Sequence, residues 1–359
     1  MLRRPDRLTF LRTLGALHAL TASAIASATP DWRAIWDTTE NRGWLEAVVI
    51  VADAAPLRRF AREVAGWREL DRSPLPAPWK QFYGASARDR AARTWLIGDA
   101  TGRPGLLRLV QLDAAGAGVI RAGAMPWDTG GFLSLMTRSN RTAQVYDAAQ
   151  RLGWNAFNDP VELRLVEPPV RLTNVVLRGP ESICISVYER LEPRLPDEPD
   201  LRRLRRPFNA MQSVRDLHAA RRFYVDVLGF TAISEGEFFN SIRAPNNFGT
   251  PANLVVAQPL GFAILGPHRD GPTQVEIVQM RGVEGRDLAH RAVPPNRGLL
   301  GLRFPVRDLR AVQQRLVARQ WPIERAPTDL TLPPWGRVRV LAVRSPDGAW
   351  LEFLEKIDR

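Results

Sequence analysis

PFNAMQSVRDLHAARRFYVDVLGF, residues Pro207 to Phe230, reads as a short strand, a cap, an amphipathic helix and a stop. Phe208, Ala210 and Gln212 alternate with Asn209, Met211 and Ser213, the period of two at which a strand sends successive side chains to opposite faces. Asp216 is placed to cap a helix on which Leu217, Ala220, Phe223, Tyr224, Val227 and Leu228 make one apolar face. Gly229 then stands where a left-handed stop belongs.

The same design recurs along the chain, and spacing identifies it as a repeat. Asp53 precedes a helix bearing Leu57, Phe60, Ala61 and Val64, with Gly66 thirteen residues after the cap, the interval that separates Asp216 from Gly229. Asn140 opens a third copy with Val145, Ala148, Ala149 and Leu152, and Gly153 follows at the same distance. Asp308 opens a fourth with Leu309, Val312, Leu316 and Val317, although Trp321 replaces the glycine. Strand endings repeat as well: Leu107 to Leu112 is similar to Val275 to Met280, and Leu96-Ile97-Gly98 matches Ile264-Leu265-Gly266. The two halves are therefore related. The expected division is a first domain at 43–191, a linker at 192–206 that is rich in proline and charge, and a second domain at 207–357.

Near the C-terminus, Ser345-Pro346-Asp347-Gly348-Ala349-Trp350-Leu351-Glu352-Phe353 reads as a turn and a final strand. Together with Pro207 to Phe230 it resembles the vicinal-oxygen-chelate superfamily: glyoxalase I, extradiol ring-cleaving dioxygenases, bleomycin-resistance binding proteins and related epimerases. The resemblance implies an α+β fold of two tandem domains, each made of two βαβββ modules that form a curved, mixed eight-stranded sheet around a pocket.

It also implies where a site would lie. In the superfamily four positions converge on one metal: a residue seven before each helix cap and one in each module's last strand. Carried onto this sequence, the leading positions are Glu46, Leu133, Asn209 and Gly301, and the closing ones are Arg108, Ser186, Glu276 and Glu352. The first domain's set, Glu46, Arg108, Leu133 and Ser186, is degenerate, because Glu46 and Arg108 can pair where an ion would sit. The second domain's set offers Asn209, Glu276 and Glu352 as candidate ligands, and its oxygen donors suit magnesium, manganese or calcium if any metal is held. Two histidines and a carboxylate, which iron-dependent ring cleavage needs, are not at these positions.

Glu276 and Glu352 are the candidate catalytic pair, since two like charges in a partly desolvated cavity push one pKa up and leave one acid and one base. Asn209, Gly301, Arg303 and Trp350 complete the expected substrate pocket, with Arg303 also able to neutralise Glu352. The reading is a glyoxalase-like isomerase or lyase acting on a small molecule. The alternative is a metal-free, cofactor-free binding protein of the bleomycin-resistance kind that sequesters an apolar molecule.

Composition narrows the rest. A chain of 359 residues with 45% hydrophobic content is long enough for two cored domains. The formal charge is +12, yet only Lys80 and Lys356 are lysines, and the arginines are spread rather than clustered. The one dense run, Arg202, Arg203, Arg205 and Arg206, falls in the linker, which argues against a nucleic-acid surface. No stretch has the apolar length for a stable membrane insertion. Cys184 is the single cysteine and sits in an apolar strand pattern, so neither a disulfide nor a cysteine-rich zinc site is expected. At the N-terminus, Arg3, Arg4, Arg7 and Arg12 precede an apolar stretch ending in Ala26-Ser27-Ala28, the form of a signal peptide over 1–28. A periplasmic or secreted protein is the expectation, with a cytoplasmic one as alternative. The expected partner is a small-molecule ligand, and relatives that build a site across two chains leave a homodimer open.

Overall fold

Each of the four units folds as a strand, a helix and a run of further strands. The computed structural model describes residues 30–86, 91–99, 102–165, 169–195, 203–238, 243–256 and 259–357. The signal-peptide reading over 1–28 and residues 196–202 of the linker, Arg202 among them, lie outside the described residues. Unit one comprises β1 (Glu46–Val51), a helix at Ala55–Phe60 prolonged by a π-turn at Ala61–Ala65, β2 (Arg68–Pro74), β3 (Arg93–Gly98) and β4 (Leu106–Gln111). Unit two comprises β5 (Ser134–Arg138), a helix at Thr142–Gln150, β6 (Asn155–Ala156), β7 (Val161–Leu165), β8 (Val170–Arg178) and β9 (Cys184–Glu192). Unit three has β10 (Asn209–Ser213), a helix at Leu217–Arg222 with its own π-turn at Phe223–Val227, β11 (Thr231–Phe238), β12 (Leu260–Gly266) and β13 (Gln274–Met280). Unit four has β14 (Gly298–Pro305), a helix at Leu309–Ala318, β15 (Arg325–Leu332), β16 (Gly336–Arg344) and β17 (Trp350–Lys356).

Local chemistry accounts for these boundaries. The Asp216 and Asp308 carboxylates accept from the amides of Ala219 and Ala311 at 3.0 and 2.9 Å, satisfying a donor that the first helical turn leaves free. Asp53 accepts from the Ala55 amide at 2.9 Å, although the cap position of that helix falls on Ala54. In unit two the cap position falls to Arg141 rather than Asn140. Gly66, Gly153 and Gly229 all have positive φ, so the thirteen-residue interval marks the same left-handed exit three times.

The sheets, however, do not follow the expected domain division. One has the order β15-β16-β17-β14-β1-β4-β3-β2 and so joins unit four to unit one. The other runs β11-β12-β13-β10-β5-β9-β8-β6, with β7 on β8, and joins unit three to unit two. The seams are antiparallel: Glu46 faces Arg303 across one, and Asn209 faces Met136 across the other. The expected domains 43–191 and 207–357 are thus corrected: each contributes one unit to each sheet. The cause lies in the two long connections, which run side by side through bridges from Val119 to Arg297 and from Thr129 to Asp287. Arg286 clamps Asp128 between them at 2.7 Å.

The helices lie between the two sheets and share one core. Phe60 stacks on Trp154 at 3.9 Å and Phe223 packs on Trp321 at 4.7 Å, tying helices of different sheets together. The other face of each sheet carries its own cluster, one around Trp36, Trp79, Trp335 and Trp350, the other around Met136, Met211, Val278 and Phe248. Gln212 bonds Ser345 at 2.8 Å and Asp347 accepts from the Arg215 amide at 3.1 Å, so the two stretches that revealed the fold meet although their strands belong to different sheets. The arginine run at 203–206 is not a solvated linker: Leu204 is buried, and Arg206 donates to the carbonyls of Pro104 and Pro272. Among the described residues, no helix is long and apolar enough to cross a membrane.

Candidate functional site

The sheet of units one and four brings four charged side chains to its inner face. Arg108 on β4 grips Glu46 on β1 with two bonds of 2.9 and 2.7 Å, the fork geometry that matches a guanidinium to a carboxylate. Arg303 on β14 bridges the two acids, donating to Glu46 at 2.9 Å and to Glu352 on β17 at 2.7 Å. Tyr83 accepts from Arg303 at 2.6 Å, Trp350 donates to Glu352 at 2.9 Å, and Trp335 donates to Glu46. The Arg303 guanidinium also lies over the Trp79 ring at 4.4 Å. None of the four charged residues exceeds 1% exposure.

Two acids and two guanidiniums balance, which is what makes such burial tolerable. Burial alone would raise the pKa of Glu46, but Arg108, then Arg303 and Trp335, hold it down to about 2. Tyr83 is pushed well above the ordinary phenol range, chiefly by burial. The expected pairing of Glu46 with Arg108 is present, and Arg303 does neutralise Glu352. A divalent cation does not fit here: every carboxylate oxygen already accepts from a guanidinium or an aromatic donor, and an ion would have to displace a cation.

Gly301 is present for packing rather than ligand contact, because a Cβ there would run into the Trp350 carbonyl of the neighbouring strand. The partner of Glu46 across the seam is Arg303, two residues further on. Leu133 likewise lies just outside β5, buried and bonded through its amide to Met211, while Met136 occupies the corresponding seam position. Counting seven back from the cap therefore works for Glu46 and Asn209 and slips in the even units. The seam partners in the even units lie two and three residues beyond the counted positions, at Arg303 and Met136.

The sheet of units two and three is the different case. Asn209 on β10 and Glu276 on β13 share its inner face with Met136 on β5 and Ser186 on β9. Glu276 and Glu352 thus lie in different sheets, and neither the expected catalytic pair nor the expected ligand trio of Asn209, Glu276 and Glu352 is assembled. The cause is the crossed pairing, since their units never share a sheet. What remains here is one carboxylate, one amide oxygen and one hydroxyl, too little charge to hold magnesium, manganese or calcium. Among the described residues no group of three His, Cys, Asp or Glu side chains could hold a metal.

Glu276 has an environment unlike that of Glu46. It is partly exposed, no guanidinium acts on it, and surrounding apolar side chains push its pKa up to about 7 against a hydrogen bond from Asn209. Asn209 is 3% exposed, and its Oδ1 has no hydrogen-bond partner. Tyr188, two residues beyond Ser186 on the same strand face, is close enough for the Glu276 charge to add to the effect of burial in raising its phenol. Ser186 accepts from Asn174 at 3.1 Å, and Asn247 holds Asn174 at 2.7 Å. Met211, Val278, Phe248, Phe208 and Phe262 belong to the apolar cluster on this face. Phe238 stacks on Phe262 at 4.5 Å.

Sequence reasoning missed Tyr188, Met136 and Tyr83. The first was within reach, because it shares the parity of Ser186; Tyr83 reaches its site from a helix in a loop, which no strand pattern reveals. An open cleft of about 530 Å³ bordered by Asn155, Arg178 and Glu181 lies outside both inner faces and holds none of these groups.

Comparison with known proteins agrees with this architecture. Residues 208–353 match the model of the Glyoxalase/Bleomycin resistance protein/Dioxygenase superfamily. Glyoxalase I from Zea mays superposes with a TM-score of 0.56 at 15% identity, covering 88% of this chain and 92% of the maize chain. A mutant form of the maize enzyme gives 0.58 at 15% identity, over 90% and 96%. A candidate dioxygenase from Bacillus subtilis gives 0.51 at 11% identity, over 89% and 87%. No curated protein matches the chain. With the sheets and both inner faces in place, residues 208–353 match the glyoxalase, bleomycin-resistance and dioxygenase superfamily, and the chain as a whole shares the fold of maize glyoxalase I, the vicinal-oxygen-chelate architecture its sequence resembles.

Proposed function

We propose that this protein binds a compact, largely apolar small molecule without metal, at the inner face of the sheet built from units two and three. The observation that carries the reading is the contrast between the two inner faces. One is filled by tryptophans and a neutralised ion cluster, and the other keeps an uncompensated carboxyl and an unpartnered amide oxygen among aromatic and methionine walls. Such a mixture of apolar walls and a few convergent polar groups is what small-molecule sites present. Methionines such as Met136 and Met211 adapt their shape to a guest.

The test is to purify the protein without chelator, assay it for metal, and analyse it by native mass spectrometry beside a Met136→Trp variant that fills the site. A retained organic compound that the variant loses, with no stoichiometric metal, is the expected result. A stoichiometric divalent ion, or equal retention by the variant, overturns the reading.

A second reading, isomerase or lyase chemistry, is favoured by the elevated pKa of Glu276, which places one carboxyl near the neutral range where proton transfer is efficient. It no longer has a second acid and would rest on Glu276 alone, with Tyr188 nearby. Turnover of a small carbonyl or hydroxy-acid compound that survives in Glu276→Gln would dismiss it.

A further inference from the structure

Resting on the small-molecule reading above, we infer that the ligand presents a cationic amine, an ammonium head on an apolar body, to Glu276 and Asn209. The arrangement of acceptors leads there. Of the 50 basic residues in the chain, two guanidiniums are committed to Glu46 and Glu352 at the other inner face, and Arg286 to Asp128 at the connections. Glu276 receives no such partner; the group that stabilises its charge is the neutral Asn209 amide. The Asn209 amide leaves its Oδ1 buried with nothing to accept from. An unmade bond at a buried acceptor is costly, and a half-buried carboxylate without a counter-charge adds to that cost. Both costs are removed by one group that brings several donors and a positive charge, and an ammonium carries three donors.

The groups facing this spot fit the assignment. Beside Glu276, β12 presents Ile264, and Phe262 further along, so an apolar body is accommodated next to the head. Tyr188 on β9 is the titratable neighbour, and its raised phenol stays neutral. Arg138 on β5 lies over the Phe208 ring at 4.4 Å, and it is not among the charges acting on Glu276. Arg121 and Arg178 act on Cys184 at the far end of β9 instead. An anionic ligand would meet the Glu276 carboxylate with like charge, and a neutral one would leave that charge uncompensated.

The experiment uses three probes on the full-length protein that differ only at the head: 2-phenylethylammonium, 2-phenylethanol and phenylacetate, titrated calorimetrically between pH 5.5 and 8.5. The ammonium is expected to bind at least tenfold more tightly than the alcohol at pH 8.5, with that preference fading toward pH 5.5 as Glu276 takes up its proton. Glu276→Gln should bring the ammonium down to the level of the alcohol, and Asn209→Asp, which adds a second charge, should tighten it. Equal binding of ammonium and alcohol, or preference for phenylacetate, overturns the inference while leaving the small-molecule site standing. If no probe binds, and Met136→Trp changes nothing retained by the purified protein, both readings fall.

Discussion

Glu46 and Glu276 occupy corresponding faces of two related sheets and have opposite electrostatic fates. Glu46 has a pKa of about 2 against an ordinary 4.5, so the stability it contributes is full above about 4.5 and is lost as the pH falls toward 2. Its partner Arg303 holds both acids, and removing it leaves one carboxylate unpaired and the other half-paired. Arg303→Met is expected to cost about 3–5 kcal/mol in urea unfolding at pH 7. A cost below about 1 kcal/mol would show that the cluster is not what holds this face together. Glu276 runs the other way. Its pKa of about 7 means the folded state keeps a proton that the unfolded chain releases, so stability declines as the pH rises from about 4.5 through 7. Replacing it with glutamine should therefore raise stability at pH 8, on the order of 1–3 kcal/mol once partial exposure is discounted, and change little at pH 4. A variant destabilised equally at both values would mark Glu276 as structural. The sequence made Glu46 and Arg108 legible as a pair because both residue types and their strand parity were in view. It could not show that Glu276 and Glu352 were apart, because parity fixes the face of a strand and says nothing about which sheet the strand joins.

At the scale of elements, helix boundaries were readable wherever a side chain does the capping. Asp216 and Asp308 accept from the amide three residues on, and the glycines at 66, 153 and 229 close their helices in the left-handed conformation. In unit two the cap falls on Arg141, and the seam residue Met136, three beyond the counted Leu133, was missed. The π-turns at Ala61–Ala65 and Phe223–Val227 were not legible at all, since their residues keep a helical apolar spacing. Gly301 shows a third kind of constraint. Its neighbour strand β17 approaches so closely that a Cβ would meet the Trp350 backbone, which is not a flexible group able to move aside. Gly301→Ala is expected to destabilise by about 1–3 kcal/mol and to alter the near-ultraviolet signal of the tryptophans around the ion cluster. Retention of both the stability and that signal would mean the two strands separate easily.

For the whole molecule, the crossed sheets change what counts as a domain. Units two and three form a sheet from one continuous stretch, 134–280, whereas units one and four complete the other from the two ends of the chain. The repeat in the sequence correctly revealed four units but offered no basis for pairing first with fourth, since related units carry interchangeable edges. The choice is enforced by the paired connections, with Val119 beside Arg297, Thr129 beside Asp287 and the Arg286 clamp on Asp128. It follows that a cut within 196–202, where the sequence suggested a harmless boundary, severs both sheets at their seams. Halves 1–195 and 203–359 expressed separately should each lack a cooperative transition, because β1 loses β14 and β10 loses β5, exposing strand edges on apolar sheets. Mixed after co-refolding, they should restore one transition and elute together. A half that melts cooperatively alone at the temperature of the intact protein would mean that units pair within it, as two independent tandem domains require.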